Sequence, residues 1–471
     1  MSTTSLIDNL QPPLLPRRAL LWLLVVEGLF LGLFFLLLAL GFPQAAAAAL
    51  AAPVQLLLWV ILADRQFAIL VFFAVVVPLA FSEMLPPLYH YSVFYHGTAV
   101  LLVITQAGRH LSSRREPQWR LSRWELAPVV IIGIWIFLSC VNAILRGWAN
   151  RMMLSFTVFN LELLLIGCFF AVVPHEKRQV KTIVNCLIAG TVLMALLIPF
   201  LPAPIGEGGI LGGKLIVTPF SIFNLNHFGG VVACMAMVIS ALLITTERTR
   251  ARVILPLLLL PLLVTLVLTK SRGAWLGFGL GFVYLVVRAR SLRLMLLAAF
   301  IGLLFLSSSV VRYTLFIRAA ETSARDPSLA GRLLLWKYAW DLGRKNWLLG
   351  VGQENFRHVK HLFGFPLPRW HSFKYNSHNL FLEHFVNLGV VGLLCFLWLV
   401  VGSWRKYNRL ARARDPDIRG WGLGFAAAIV VLLGHGLVDS YLFVHGVAAL
   451  LTIIIGLSVA LNRIAAATTE A

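Results

Sequence analysis

The sequence predicts an all-α polytopic membrane protein with about 12 to 14 transmembrane helices. Three observations lead there. Of the 471 residues, 59% are apolar and only 13% charged, with a mean hydropathy of +0.86, outside the range of water-soluble domains. The apolar residues come in unbroken runs of about 17 to 24, the length an α-helix needs to cross a bilayer, and not in alternating ten-residue segments of a barrel. Basic residues gather in short clusters between those runs. With lipid as the solvent, each backbone N–H and C=O must be satisfied within its own segment, which selects helices.

Residues 1–18 form a polar N-terminus closing on Arg17 and Arg18. The run that follows is too long for a signal-peptide core and shows no small-residue cleavage site after it, so it reads as the first span. Apolar runs then fall at 19–41, 45–63, 67–88, 93–107, 126–145, 153–173, 181–201, 222–245, 254–269, 274–288 and 294–311, which divides off a transmembrane region of 19–311. Residues 312–378 are a long polar loop, runs at 379–403, 421–440 and 442–462 make a C-terminal transmembrane region, and 463–471 is a tail. Placing all basic clusters on one side, from Arg17–Arg18 to Arg405–Arg414, puts both termini in the cytoplasm. The net charge of +21 is thereby an orientation signal and no sign of a nucleic-acid partner. Five cysteines, an odd number and all within apolar runs, make neither a disulfide framework nor a metal motif.

That topology leaves four polar connections outside: 202–218, 269–273, the long loop, and 435–440. The loop is rich in cations, among them Arg332, Lys337, Arg344, Arg357 and Lys360, against Glu321, Asp326, Asp341 and Glu354. Short outer loops are normally poor in Lys and Arg, so an anion to be held there is the natural reason. Ser328 to Arg344 reads as an amphipathic helix with Leu329, Leu333, Trp336 and Trp340 on its apolar face, and Gly350 to Phe356 reads as a turn. Asn376 or Ser377 is placed to cap the next helix, with His378 in its first turn. The first connection carries five glycines with Lys214, then Asn224 and Asn226. No strand precedes it, so it is no dinucleotide loop and is equally readable as a flexible outer connection.

Individual residues carry two readings each. Arg272 is either an interfacial arginine reaching for headgroups or a bidentate phosphate ligand, since a guanidinium matches phosphate geometry. His378 is either a helix-end histidine or a base near a reacting hydroxyl. His435 and Asp439, four residues apart, share a helical face. Glu383, inside a span, is a tie to an arginine or to the structure. No carboxylate pair or third ligand beside His358 and His361 suggests a metal, so neither metal nor cofactor is expected.

Lys270-Ser271-Arg272-Gly273-Ala274-Trp275, Gly331-Arg332 with Trp336, Gly350-Val351-Gly352-Gln353-Glu354-Asn355-Phe356 and Asn376-Ser377-His378-Asn379 before an apolar helix together resemble the O-antigen ligase and polymerase superfamily. The likeness covers about residues 220–461. It implies a GT-C-type helical glycosyltransferase of the bacterial inner membrane that moves a glycan from undecaprenyl diphosphate on the periplasmic face. Ligases deliver it to the lipid A core, polymerases to another lipid-linked glycan. It also implies that Arg272 holds the diphosphate and that His378 is the essential histidine; loop cations such as Arg332 are expected to assist with the diphosphate. A second family arginine ahead of the Asn-x-Asn segment has no arginine here, where Lys214 is the nearest cation. Asn224, Asn226, Asn376, Asn379 and Asp439 are expected in supporting roles. The reading from another class, a transporter of an anionic lipid, would require charged residues lining a path through both leaflets.

Overall fold

The computed structural model describes residues 66–79, 121–197, 225–269, 271–290, 327–364, 376–441 and 445–470, with residues 98–100, 102, 103, 106, 296, 302, 303 and 307. Lys214, Asn224, Lys270, the spans expected at 19–41 and 45–63, and the Pro366 to Trp370 stretch lie outside the described residues. The chain divides into two units, residues 1–69 with 85–114 and residues 70–84 with 115–471. In the first, the side chain of Gln66 donates to Gln106 at 3.0 Å.

The described elements are helical, with no strand among them: α1 (Gln66–Leu79), α2 (Arg123–Leu145), α3 (Arg151–Val172), α4 (Lys177–Leu197), α5 (Leu225–Thr245), α6 (Thr249–Leu268), α7 (Arg272–Ala289), α8 (Pro327–Lys345), α9 (Phe356–Val359), α10 (Leu380–Leu410), α11 (Pro416–Gly436) and α12 (His445–Glu470). Eight of them are long and apolar enough to cross a membrane, which makes this a multi-pass membrane protein. Helix starts are set by polar caps at the ends of the apolar runs. Asn150 accepts from the Met153 amide, Ser271 from Ala274, and Asp415 from Asp417 and Ile418 with Pro416 at the first helical position. The last helix runs on through residues 463–470, so the expected tail is a continuation of α12.

In the second unit α5, α7 and α11 pack together most closely, and α5 and α11 are the most enclosed spans. Lipid gives no hydrophobic push between helices, so close approach through small residues supplies the attraction. At Gly424 a Cβ would lie 2.8 Å from the Cα of Val238, and at Gly277 about as near the carbonyl of Val431.

The 31 residues of α10 make about 46 Å of helix, well beyond the ~30 Å hydrocarbon core. The helix is broken at Gly389 (φ 70°, ψ −173°). Breaking it frees carbonyls that lipid could not satisfy, and the polar loop satisfies them: Val351 donates to Val386 and Gly352 to Asn387, each at 3.0 Å. From α2, Ser139 donates to the Asn387 carbonyl and the Trp135 indole to that of Leu388. Val390 in turn donates to Trp347 at 2.7 Å.

The loop helix α8 lies against this broken segment, but on a different face from the expected one. Leu335, Tyr338, Ala339 and Leu342 are buried with Val351, Phe356, Val359 and Val386, whereas Leu333 and Trp340 are half exposed. Both stripes have helical spacing. Gly343 lets α8 settle onto Phe385, where a Cβ would lie 2.7 Å from the ring, and the Trp340 ring lies along the edge of this contact, 5.6 Å from that of Phe385.

Candidate active site

At one end of the bundle the first residues of α5, α7 and α10 meet the last turn of α11. Gly230 of α5 and Gly273 of α7 press on opposite parts of the His435 ring, where a Cβ at either would stand 2.7 Å from an imidazole atom. Gly436 ends α11, and the amide of Asp439 bonds back to the carbonyl of His435 at 3.1 Å, turning the Asp439 carboxylate under the bundle end.

That carboxylate is the centre of the site. One oxygen, Oδ1, lies 3.0 Å from Nδ1 of His378 and accepts from the Ser440 amide at 2.9 Å. The other, Oδ2, lies 3.7 Å from Nε2 of His227 and 3.9 Å from Nε2 of His435. Burial pushes Asp439 toward the neutral acid, but the charges and hydrogen bonds of His227 and His378 outweigh it and hold the carboxyl well below the usual carboxylate range. His227 and His435 are buried and His378 is partly open. An anion bonded to Nδ1 favours the tautomer with its proton there, which leaves Nε2 of His378 as the unprotonated nitrogen.

Local structure places that ring. Asn379, not Asn376 or Ser377, caps α10, with its side-chain oxygen accepting from the amides of Phe381 and Leu382 at 3.0 Å and its Nδ2 donating to the Leu437 carbonyl at 2.9 Å. The Ser377 amide is taken instead by Glu383, at 2.6 Å, which also accepts from Asn387. Glu383 is therefore a tie within the structure. His378 falls outside the helix with φ 50°, a conformation non-glycine residues seldom adopt. It is held from before by Glu383, from behind by the Asn379 cap and from the side by Asp439.

Of the remaining sequence candidates, Arg272 is the first residue of α7, its side chain exposed, one position from the glycine that packs on His435. Arg332, on α8, is half buried, and its charge is felt at His435. Asn226 is exposed in the first turn of α5, and Asn376 is buried beside Ser377 without capping. Sequence reasoning gave no role to His227 and paired Asp439 with His435, four residues away, whereas its shortest histidine contact is with His378. The signal for His227 was present, since it directly follows Asn226. Among the described residues no group of three His, Cys, Asp or Glu side chains has the arrangement to hold a metal.

Residues 257–397, from mid-α6 through the loop helix to the far side of the α10 break, match the O-Antigen ligase family. The chain carries an O-antigen ligase family domain. It supplies Arg272, Arg332, His378 and the loop that binds the α10 break, while His227 comes from α5 before it, and His435 and Asp439 from α11 and the turn that follows it. Two curated relatives extend the similarity. A Rickettsia conorii protein described as "Putative polysaccharide ligase" is 26% identical over 288 residues, 59% of this chain and 66% of its own length. A Rickettsia felis protein of the same description is 26% identical over 293 residues, 59% of this chain and 67% of its length. The match thus spans about two thirds of these relatives.

Proposed function

We propose that this protein is a metal-independent, inverting glycosyltransferase of the bacterial inner membrane, an O-antigen ligase that transfers a glycan from undecaprenyl diphosphate to the lipid A core oligosaccharide in lipopolysaccharide biosynthesis. Both termini are cytoplasmic and the Asp439 end of the bundle is periplasmic. The observation that carries the reading is the 3.0 Å contact between Nδ1 of His378 and Asp439, at the end of the bundle where Arg272 opens α7.

In the reaction an acceptor hydroxyl attacks C1 of the donor sugar. Its proton passes to Nε2 of His378, and the bond from C1 to the diphosphate oxygen breaks with its electron pair leaving on the diphosphate. Attack from the face opposite the leaving group inverts C1. Asp439 balances the imidazolium that forms. The departing charge is met by Arg272, by the N–H groups of the first turn of α7, and by Arg332 and Lys214.

Purified full-length protein incubated with a lipid-linked glycan and lipid A core distinguishes the readings. New core-linked glycan supports a ligase, longer lipid-linked chains an O-antigen or exopolysaccharide polymerase, and neither product a transporter of an anionic lipid. Arg272→Ala and His378→Ala should each lower transfer on the order of 10²-fold or more with the protein still inserted. Wild-type rates in either variant would overturn the site.

A further inference from the structure

At the end of the bundle opposite Asp439, α7 and α10 enclose an open groove of about 860 Å³. Its floor is a polar bridge between the two helices. The Tyr284 hydroxyl donates to the side-chain oxygen of Asn408 at 2.6 Å, Arg288 reaches the same oxygen at 3.3 Å, and the Tyr284 ring lies 6.2 Å from that of Trp404. One wall is apolar and uncovered, with Val283 60% and Val287 67% exposed. The rim is Arg405, Arg409 and Arg412, all exposed, and no carboxylate lines the groove.

Several other cations of the same end face carboxylates. There Lys177 is paired with Asp415 and with Asp417 at 3.1 Å, Arg248 lies 3.6 Å from Asp417, and Lys406, the groove's lysine, lies 2.8 Å from Glu125 on the far side of α10. Carboxylates thus meet these cations, whereas Arg405, Arg409 and Arg412 line a cavity with an apolar wall. Guanidinium groups so placed suit phosphate oxygens, which they bind in bidentate fashion, and an uncovered valine wall at bilayer depth suits an acyl chain.

We propose that this groove binds an anionic phospholipid of the surrounding leaflet, its phosphate held by Arg405, Arg409 and Arg412 and one acyl chain lying on Val283 and Val287. The lipid bridges α7 and α10, the helices whose other ends present Arg272 and follow His378. The inference does not depend on the proposed reaction, because its test reads lipid retention alone.

The experiment is native mass spectrometry of the full-length protein, purified in detergent and exposed to mixed micelles containing phosphatidylglycerol or phosphatidylcholine. Wild type should retain phosphatidylglycerol in preference to phosphatidylcholine. Arg405→Gln/Arg409→Gln/Arg412→Gln should lower that retention at least ~10-fold, the loss of about one charge-assisted phosphate contact or more. Arg178→Gln/Arg250→Gln/Arg252→Gln removes the same charge from exposed positions at the same end and should leave it unchanged. Val283→Trp/Val287→Trp fills the groove with every charge intact and should also abolish retention. Equal loss in both arginine triples, equal retention of the two lipids, or full retention in the tryptophan variant would overturn the proposal. Melting curves of all variants confirm that folded protein is compared.

Discussion

Replacing Asp439 by Asn isolates the charge at the centre of the site while keeping its shape. The native carboxylate accepts from Nδ1 of His378 at 3.0 Å and from the Ser440 amide at 2.9 Å, and both contacts are short enough for an amide of the same size to occupy. What Asn cannot supply is the negative charge opposite the imidazolium that the proposed reaction forms when His378 takes the acceptor proton. A hydrogen bond to a charged group contributes a net ~1.5–3 kcal/mol, and its loss in the transition state slows transfer roughly 10- to 150-fold. If the Asn amide turns its NH₂ toward Nδ1, the imidazole proton moves to Nε2 and the base is lost outright, so the reduction is larger. Because Asp439 is held well below the usual carboxylate range, it remains ionised across the whole working pH range, and no change of buffer reproduces the variant in the native protein. The assay is the initial rate of glycan transfer by Asp439→Asn from pH 5.5 to 8.5, beside its melting temperature. A variant that melts like wild type and transfers glycan within threefold of it would refute the assignment of Asp439 as the partner of the base.

Three further outcomes follow from the geometry. At Gly389 a Cβ would collide with the carbonyl of Leu348, and the backbone angles there are near those only glycine adopts, so Gly389→Ala should cost ~3–5 kcal/mol from strain and the loosened Val351 and Gly352 bonds; Gly402→Ala, on the same helix in open space, should melt like wild type. Burial with the nearby Glu383 charge raises Glu354 to about 8, with Arg357 opposing, so the folded state holds a proton the unfolded chain releases above its ordinary value and stability should fall as pH rises from about 5 to 8. Lys360, lowered to about 8 by burial against the pull of Glu383, acts in the next window, where the unfolded chain binds more protons and stability should recover toward pH 10. Melting temperatures should therefore pass through a minimum near pH 8, and Glu354→Gln should flatten the acidic limb alone. Asn379→Ala removes the cap of α10 and the bond to Leu437, and should cost ~0.5–2 kcal/mol of stability with a larger fall in kcat than in substrate affinity, read from the rate at saturating donor.

The sequence located most spans within a few residues because bilayer thickness and apolar length are the same constraint: the run 153–173 is helix Arg151–Val172, and 222–245 is Leu225–Thr245. The loop helix and the turn after it were legible by periodicity and by glycine spacing. Three features were not. The break at Gly389 leaves hydropathy untouched, and only the excess length of α10 hints at it. The packed face of α8 was hidden because two apolar stripes coexist there, and the bulkier residues favour the one that is less buried. The partnership of His378 with Asp439 joins residues 61 apart, beyond any local pattern, while the nearer His435 offered a helical spacing that ends one residue later at Gly436.

The break in α10 explains why so polar a loop belongs to this domain. A straight helix from Leu380 to Leu410 would need no partners for the carbonyls of Val386, Asn387 and Leu388, and the loop would have nothing to bond. With the break, those carbonyls require donors, and the loop amides of Val351 and Gly352 supply two of them. The same junction reaches the site through two side chains. Asn387 accepts from the Phe356 amide and donates to Glu383, and Glu383 accepts from Ser377, the residue before His378. Docking of the loop and orientation of the imidazole are thus linked through one chain of hydrogen bonds, so loosening the loop at Gly389 should lower the transfer rate as well as the melting temperature, even though Gly389 touches neither Asp439 nor Arg272. A Gly389→Ala protein that melts early yet transfers glycan at the wild-type rate below its melting point would show that the imidazole is held by Asp439 and Asn379 alone.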